Sequence, residues 1–402
     1  MLRGEADLGR TDGDVDLLVA RDDLATAAAT LERLDYVRLA AWGRGSHRFY
    51  LTYDRQHDAW VKLDIVSTLS FGPHSVMETG VAEACLDRLI SIGGVPLLAD
   101  QDRFWALLLH CLLDRGDVPD RHAAPLRALA GSGVAGGPLA AWFAAHAPDG
   151  WSPERTVEAV RDADWQSLVA MGQRMRSAPR WRSGRSLAYR AARAGAMRMT
   201  KLRTLVREPG LTMALLGPDG AGKSTLAAEL ARTFYFPVRP VYMGLYGADT
   251  AVGRPPSGVI EHVGRMAGHL GRQWGGYLRA VYHRSRGRLV VYDRFGYDAL
   301  LRQPRNPWLG ARVRRWLLSH AVPAPDLVLL LDAPPELLRA RKPEHDLATL
   351  DSQRRSYLDL ASRLGNIRTV RADQGSDTVR RDVTERIWQR YVDRRRGRAA
   401  ER

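Results

Sequence analysis

Residues 217–225 read GPDGAGKST, and this stretch decides the fold of the second half of the chain. It fits the phosphate-loop pattern G-x-x-x-x-G-K-[S/T] without a deviation. The apolar run 211–216 before it predicts a buried strand, and Leu226, Leu230 and Phe234 after it recur at the spacing of one helix face. A strand, a glycine-rich loop and a helix in this order are the context in which the pattern holds phosphate groups.

The residue types of the loop match the chemistry of a nucleoside triphosphate. Glycines let backbone N–H groups turn inward toward phosphate oxygens, and the N-terminus of the following helix adds its positive dipole end. Lys223 can reach the β- and γ-phosphates, and the hydroxyl of Ser224 can bind Mg²⁺. We therefore predict a site for ATP with Mg²⁺. Its predicted residues are Gly217, Asp219, Gly220, Ala221, Gly222, Lys223, Ser224 and Thr225.

Charged residues follow a later apolar strand. The run 289–292 ends in Asp293 and Arg294, and a further predicted strand, 327–332, precedes two prolines that favour a helix start. Carboxylates at the carboxyl ends of parallel strands face the ligand crevice. We predict that Asp293 holds Mg²⁺ through water or acts on the acceptor, and that Arg294 clamps an acceptor phosphate. A surface ion pair between them is the alternative interpretation.

Residues 210–395 resemble the thymidylate kinase-like group of P-loop kinases. The resemblance rests on the phosphate loop, on Asp-Arg-Phe at 293–295, and on the segment 325–336. It extends to Arg339 and Arg341, which resemble the start of the lid of that family. The resemblance implies transfer of the terminal phosphoryl group of Mg·ATP to a nucleoside monophosphate or a related small anionic acceptor. It also implies that the aspartate-arginine pair serves the acceptor and that lid arginines neutralise charge on the transferred group.

The segment that should hold the acceptor departs from the family pattern. The family carries Arg-Glu-Pro-Gly some tens of residues after the phosphate loop. Here those four residues stand at 207–210, before the loop, and 241–247 reads VYMGLYG. The sequence therefore predicts the type of reaction and leaves the identity of the acceptor open.

Three aspartates mark the N-terminal part of the chain. Asp14 and Asp16 begin the apolar run 15–19 and leave one face of a strand, and Asp64 lies inside the run 61–66. Buried carboxylates are costly unless paired or bound to cations, and three together suit a two-Mg²⁺ site. The alternative is a polar turn at Asp14 and Asp16.

With Leu-Arg-Gly at residues 2–4, this arrangement resembles the DNA polymerase β-like nucleotidyltransferases over the first 70 to 100 residues. The resemblance implies a second enzymatic hypothesis, in which Asp14, Asp16 and Asp64 perform nucleotidyl transfer and the phosphate-loop domain is accessory.

We predict an α/β multidomain chain whose phosphate-loop domain has a parallel sheet with helices on both faces. The predicted parts are a small α/β nucleotidyltransferase-like domain at 1–98, a helical region and basic connector at 99–207, the phosphate-loop domain at 208–396, and a tail at 397–402.

The net charge of +15 raises a third, non-catalytic hypothesis. Between Arg174 and Arg207 there are eleven basic residues and no acidic one, which fits a nucleotide-gated adaptor for nucleic acid or an anionic membrane surface. A solvated arginine-rich helix is the alternative.

The N-terminus lacks an apolar leader and Cys85 and Cys111 are the only cysteines, so we expect a cytoplasmic protein. Homo-oligomerisation is left open.

Overall fold

A computed structural model describes residues 14–39, 47–72, 75–131, 134–179, 195, 210–243, 259–301 and 309–400. The chain divides into two compact units. One is Met1–Asp54 with Ala59–Leu202, and the other is Arg55–Asp58 with Arg203–Arg402. The boundary predicted near residue 98 falls inside the first unit.

The first unit begins with a four-stranded sheet. Its strands are β1 (Val15–Leu18), β2 (Val37–Arg38), β3 (Arg48–Asp54) and β4 (Ala59–Val66), in the order β1-β4-β3-β2. The helix α1 (Leu24–Arg33) follows β1. β1 runs parallel to β4, whereas β3 runs antiparallel to β4 and to β2. The strands predicted from the runs 15–19 and 61–66 are confirmed as β1 and β4.

Helices make up most of the described residues that follow β4 in this unit. The helices are α2 (Ala82–Leu86), α3 (Asp100–Leu109) continued by a π-helical turn (His110–Arg115), α4 (Asp120–Ala130), α5 (Pro138–His146), α6 (Pro153–Arg161) and α7 (Trp165–Ser177). Two small hairpins are formed by β5 (Ser70–Phe71) with β6 (Met77–Glu78), and by β7 (Ile90–Ile92) with β8 (Val95–Leu97). Leu18 and Val66 from the sheet share one core cluster with Trp105 and Phe143 from the helices. This shared core is the physical reason why sheet and helices form one unit.

The second unit alternates strands and helices along the chain. Its strands are β9 (Thr212–Leu216), β10 (Val238–Tyr242), β11 (Leu289–Asp293), β12 (Leu327–Asp332) and β13 (Ile367–Arg371). Its helices are α8 (Lys223–Thr233), α9 (Val259–Ser285), a 3₁₀ turn (Gly296–Leu300), α10 (Leu309–His320), α11 (Pro335–Arg341), α12 (Leu347–Leu364) and α13 (Ser376–Ala400). All four strand pairings are parallel, so the predicted parallel sheet is confirmed.

The strand order β10-β11-β9-β12-β13 creates a crevice at the carboxyl end of the sheet. After β9 the chain moves to one side of the sheet, to β10, and after β11 it crosses to the other side, to β12. Connections that leave neighbouring strands in opposite directions mark the point where ligands bind in open α/β sheets. The loops after β9 and β11 therefore flank the expected binding site.

The predicted C-terminal tail is wrong in part, because α13 continues to Ala400. Arg390 Nε donates to the carbonyl of Asp326 at 2.9 Å, and Arg394 Nη1 donates to the carbonyl of Gly210 at 3.1 Å. These arginines hold α13 against the amino-terminal edge of the sheet as far as Arg394. Within the described part of the chain, no helix combines the length and the apolar character required to span a bilayer.

Candidate nucleotide-binding site

The phosphate loop requires glycine at two positions because the backbone of neighbouring segments lies too close for a side chain. Gly217 and Gly220 have φ values of +142° and +85°. A Cβ atom on Gly217 would lie 2.7 Å from the carbonyl oxygen of Leu331, and one on Gly220 would lie 2.5 Å from that of Leu338. The loop is therefore pressed between the end of β12 and the helix α11, where a side chain has no room.

Lys223 begins α8 and folds back over the loop. Its Nζ donates to the carbonyl oxygens of Gly217 and Pro218, both at 2.8 Å, and its side chain is 10% exposed. Burial lowers the pKa of Lys223. The first N–H groups of a helix have no partner within the helix, so the start of α8 offers donors beside this ammonium group. The side chain of Ser224 is exposed next to it.

Arg294 joins the end of β11 to the phosphate loop. Its Nη2 lies 2.9 Å from Asp219 Oδ1, and the same carboxylate oxygen lies 3.9 Å from Lys223 Nζ. Arg294 has a φ of +64°, which is uncommon for a residue with a side chain and costs conformational energy. Such strain concentrates at functional sites. The sequence predicted Asp293 and Arg294 at the end of a strand, and in the fold Arg294 contacts Asp219.

A carboxyl group that the sequence analysis missed lies one turn further on. Asp298, in the 3₁₀ turn after β11, accepts a hydrogen bond on Oδ1 from Tyr357 Oη at 3.1 Å. Burial raises the pKa of Asp298, whereas the charges of Arg294 and Lys223 lower it. Asp298 follows Asp293 by five residues, and this closeness to a predicted site residue could have identified it from the sequence. Tyr357 comes from α12, so only the fold reveals that pair.

The two predicted lid arginines occupy different surroundings. Arg339 is exposed on α11, and Arg341 Nη1 donates to the carbonyl of Ala372 at 3.0 Å. A further arginine, which the sequence analysis missed, holds the end of β12: Arg354 bonds both carboxylate oxygens of Asp332, at 2.6 and 2.9 Å. The described contacts of Arg341 point to the end of β13, and the lid role of both arginines stays a prediction.

Oxygen groups suited to Mg²⁺ stand beside the loop. The exposed hydroxyl of Ser224 and the half-buried carboxylate of Asp293 are hard donors of the kind Mg²⁺ prefers. The carboxylate of Asp293 also interacts electrostatically with Lys223. Among the residues the structure describes, no cluster of three or more His, Cys, Asp or Glu could hold a metal ion. Mg²⁺ is often held by one or two protein groups together with phosphates and water, so the two donors fit this ion.

Several predicted features lie outside the described residues. They include 244–247 of the acceptor segment, 207–209 of the displaced Arg-Glu-Pro-Gly, and most of the basic connector. The described start of the acceptor segment adjoins the site, since the N–H of Met243 donates to the carbonyl of Asp293 at 3.1 Å.

In the first unit, the predicted carboxylates have basic partners. Asp14 Oδ2 lies 2.6 Å from Lys62 Nζ, and Asp64 Oδ2 lies 2.8 Å from His47 Nδ1. The register of β1 and β4 places Asp16 directly opposite Asp64. The two-Mg²⁺ site at these three aspartates and the nucleotidyltransferase-like character of residues 1–98 stay predictions.

The second unit is thus a mixed α/β domain with a five-stranded parallel sheet and a phosphate loop at its switch point, which is consistent with a P-loop kinase fold. Over 208 residues the sequence is 28% identical to a probable thymidylate kinase of Thermococcus gammatolerans, covering 46% of this chain and 98% of that protein. The chain is therefore homologous to thymidylate kinases over about 46% of its length. A solved thymidylate kinase from Candida albicans covers 45% of this chain and 90% of its own, at 17% identity and a TM-score of 0.33. No protein-family model matches the sequence.

Proposed function

We propose that the second unit is a Mg·ATP-dependent phosphotransferase that acts on a small acceptor bound beside Asp293 and Arg294. The observation that carries the proposal is the contact of 2.9 Å between Arg294 and Asp219, because it joins the end of β11 to the phosphate loop. A donor nucleotide on the loop and an acceptor at Arg294 would then be neighbours. The family resemblance implies a nucleoside monophosphate or a related anionic acceptor.

Each residue has a role in this proposal that follows from its position. Lys223 exchanges the carbonyls of Gly217 and Pro218 for the β- and γ-phosphates, and the first N–H groups of α8 bind phosphate oxygens. Arg294 orients the acceptor with its planar fork. Arg339 or Arg341 would stabilise charge on the transferred group. Ser224 and Asp293 would hold Mg²⁺, which when bound supplies positive charge to the phosphate oxygens.

Turnover of ATP by variants of the full chain tests the proposal. Formation of ADP is measured with Mg·ATP and a panel of nucleosides, nucleoside monophosphates, sugars and sugar phosphates. We expect Lys223→Ala to lower acceptor-dependent turnover at least about 100-fold, since it removes a charge that acts on the transferred phosphoryl group. Arg363→Ala is the control, because Arg363 pairs with Asp359 on the exposed surface of α12, away from the phosphate loop.

Undiminished turnover in Lys223→Ala would refute the proposal. The same panel tests the nucleotidyltransferase hypothesis, since release of pyrophosphate that depends on Asp14 and Asp64, and not on Lys223, would assign the chemistry to the first unit.

A further inference from the structure

We propose that Asp16 and Asp64 of the first unit bind one divalent cation, Mg²⁺ or Mn²⁺, and that Lys62 takes the place of a second cation at Asp14. The inference goes beyond the function proposed above and does not rest on it, because the phosphate loop belongs to the second unit. It replaces the predicted two-Mg²⁺ site at Asp14, Asp16 and Asp64 with a site for a single ion.

Two of the three carboxylates face each other across neighbouring strands. Asp16 of β1 and Asp64 of β4 are register partners in a parallel pair, so both side chains leave the same face of the sheet. Neighbouring strands lie about 4.8 Å apart, which brings the two carboxylate groups within reach of one ion. Like charges directly opposite each other destabilise a sheet, and a cation bound between them removes this cost.

The carboxylate of Asp64 has one oxygen that lacks a partner. The side chain is 10% exposed, and its Oδ2 accepts a hydrogen bond from His47 Nδ1 at 2.8 Å. Its Oδ1 is buried and has no hydrogen-bond partner among the described residues. A buried carboxylate oxygen is costly unless a donor or a cation satisfies it. This oxygen therefore fits a metal ligand, and His47 orients the carboxylate as hydrogen bonds orient the ligands of metal sites in proteins.

Lys62 already neutralises the third carboxylate. Its Nζ lies 2.6 Å from Asp14 Oδ2 and 4.4 Å from the centre of the Phe49 ring, and its side chain is 14% exposed. A buried ammonium group needs an anion beside it, and the face of the aromatic ring adds a favourable contact. Packing thus holds the ammonium group in the sheet, and the charge of Asp14 is balanced within the protein.

The donors that remain select the kind of ion. The carboxylates of Asp16 and Asp64 supply hard oxygen ligands, which suit Mg²⁺ and Mn²⁺. In the part of the chain that the structure describes, no group of three or more His, Cys, Asp or Glu could hold a metal ion. The ion would therefore complete its shell with water or with phosphate oxygens of a ligand, as Mg²⁺ commonly does. A structural zinc site, which takes four protein ligands, does not fit.

Binding of Mn²⁺ in the absence of nucleotide tests the proposal. The parent is the full chain with Asp293→Asn, which removes the proposed ion ligand at the phosphate loop, and free Mn²⁺ is counted by electron paramagnetic resonance. We expect one bound ion per chain, displaced by Mg²⁺. Asp64→Asn and His47→Ala should each lower the affinity for Mn²⁺ at least about tenfold, because one removes a ligand charge and the other releases the ligand. Asp117→Asn is the matched control, since Asp117 is exposed and pairs with Arg115.

The number of bound ions tests the role of Lys62. The substitution Lys62→Met keeps an unbranched side chain and removes the ammonium group, so that Asp14 becomes available to a second ion. We expect two bound Mn²⁺ in this variant, with circular dichroism showing that it is folded. No bound ion in the parent, two bound ions in the parent, or undiminished affinity in Asp64→Asn would each overturn the proposal. A single ion in folded Lys62→Met would overturn the assignment of Lys62.

Discussion

Crowding by neighbouring backbone, as well as a positive φ, restricts Gly220 in the phosphate loop. Gly365 at the end of α12 also has a positive φ, +62°, but a Cβ atom there would meet nothing within 4 Å. A comparison of substitutions at Gly220 and Gly365 therefore separates the effect of conformational strain from the effect of steric exclusion. Strain alone costs about 1–2 kcal/mol for a residue with a side chain. A Cβ atom at Gly220 would in addition force the loop away from the backbone of Leu338.

We predict that Gly220→Ala lowers the affinity for ATP at least about tenfold, because the loop cannot keep its shape beside α11. Gly365→Ala should lower the thermal stability and leave ATP affinity unchanged. Titration with a fluorescent ATP analogue measures the first effect and thermal denaturation the second. Equal ATP affinity in the two variants would show that crowding does not shape the loop.

Asp102 is a charged residue inside the core of the first unit. Its side chain is 0% exposed, with Arg88 Nε 3.9 Å away and the buried thiol of Cys85 beside it. Burial raises the pKa of Asp102, and burial together with Asp102 raises the pKa of Cys85 to about 12. Cys85 is therefore a buried thiol that packs in the core of the first unit.

The raised pKa of Asp102 predicts how stability depends on pH. Because the folded-state pKa lies above the unfolded value, the carboxyl group stabilises the fold below that unfolded value, and this contribution is lost as pH rises through the folded-state pKa. Asparagine has no proton to lose in this range. We therefore expect Asp102→Asn to gain stability relative to wild type as pH rises from about 4 to about 7, measured by denaturation with urea. If the stability of wild type and of Asp102→Asn changed in parallel with pH, this prediction would be contradicted.

At the scale of elements, one carboxylate joins several parts of the second unit. Asp326, just before β12, accepts hydrogen bonds from the N–H and hydroxyl of Thr212 at the start of β9, both at 2.9 Å. Arg284 of α9 lies 3.3 Å from it and Arg394 of α13 lies 3.6 Å from it. These contacts occur at the amino-terminal edge of the sheet, opposite the phosphate loop.

We predict that Asp326→Ala destabilises the second unit by about 2–4 kcal/mol, because it leaves part-buried donors and charges without their acceptor. Asp351→Ala, which removes an exposed partner of Arg355, should cost less than about 1 kcal/mol. Denaturation with urea provides the comparison. At low temperature, where the variant remains folded, ATP affinity should be unchanged, since Asp326 is at the far edge of the sheet.

At the scale of the whole molecule, the second unit contains every residue of the proposed nucleotide site. Residues 203–402 also carry the complete five-stranded sheet. The first unit has its own core, formed by the sheet and helices described above.

We therefore predict that a chain of residues 203–402 folds alone and binds Mg·ATP within about threefold of the affinity of the full chain. Calorimetric titration of both proteins provides the measurement. A failure of the shorter chain to bind, despite native-like circular dichroism, would mean that residues outside 203–402 are needed for the nucleotide site.

The sequence by itself determined the phosphate loop, the parallel alternation of strand and helix, and the position of Asp293 and Arg294 at a strand end. Local residue pattern suffices for these features, since glycine spacing and apolar periodicity act over a few residues. It also predicted the strands that carry Asp16 and Asp64. It could not show that Lys62 and His47 are the partners of Asp14 and Asp64, because ion pairs across strands depend on register.

Only the tertiary structure decided which side chains meet. Tyr357 reaches Asp298 across 59 residues, and Arg294 meets Asp219 across 75, because parallel strands gather distant loops at one edge of the sheet. The packing of α13 likewise depends on the carbonyl groups of Asp326 and Gly210, which accept hydrogen bonds from Arg390 and Arg394. Contacts between residues far apart in sequence have no local signature, and the choice of acceptor depends on such contacts.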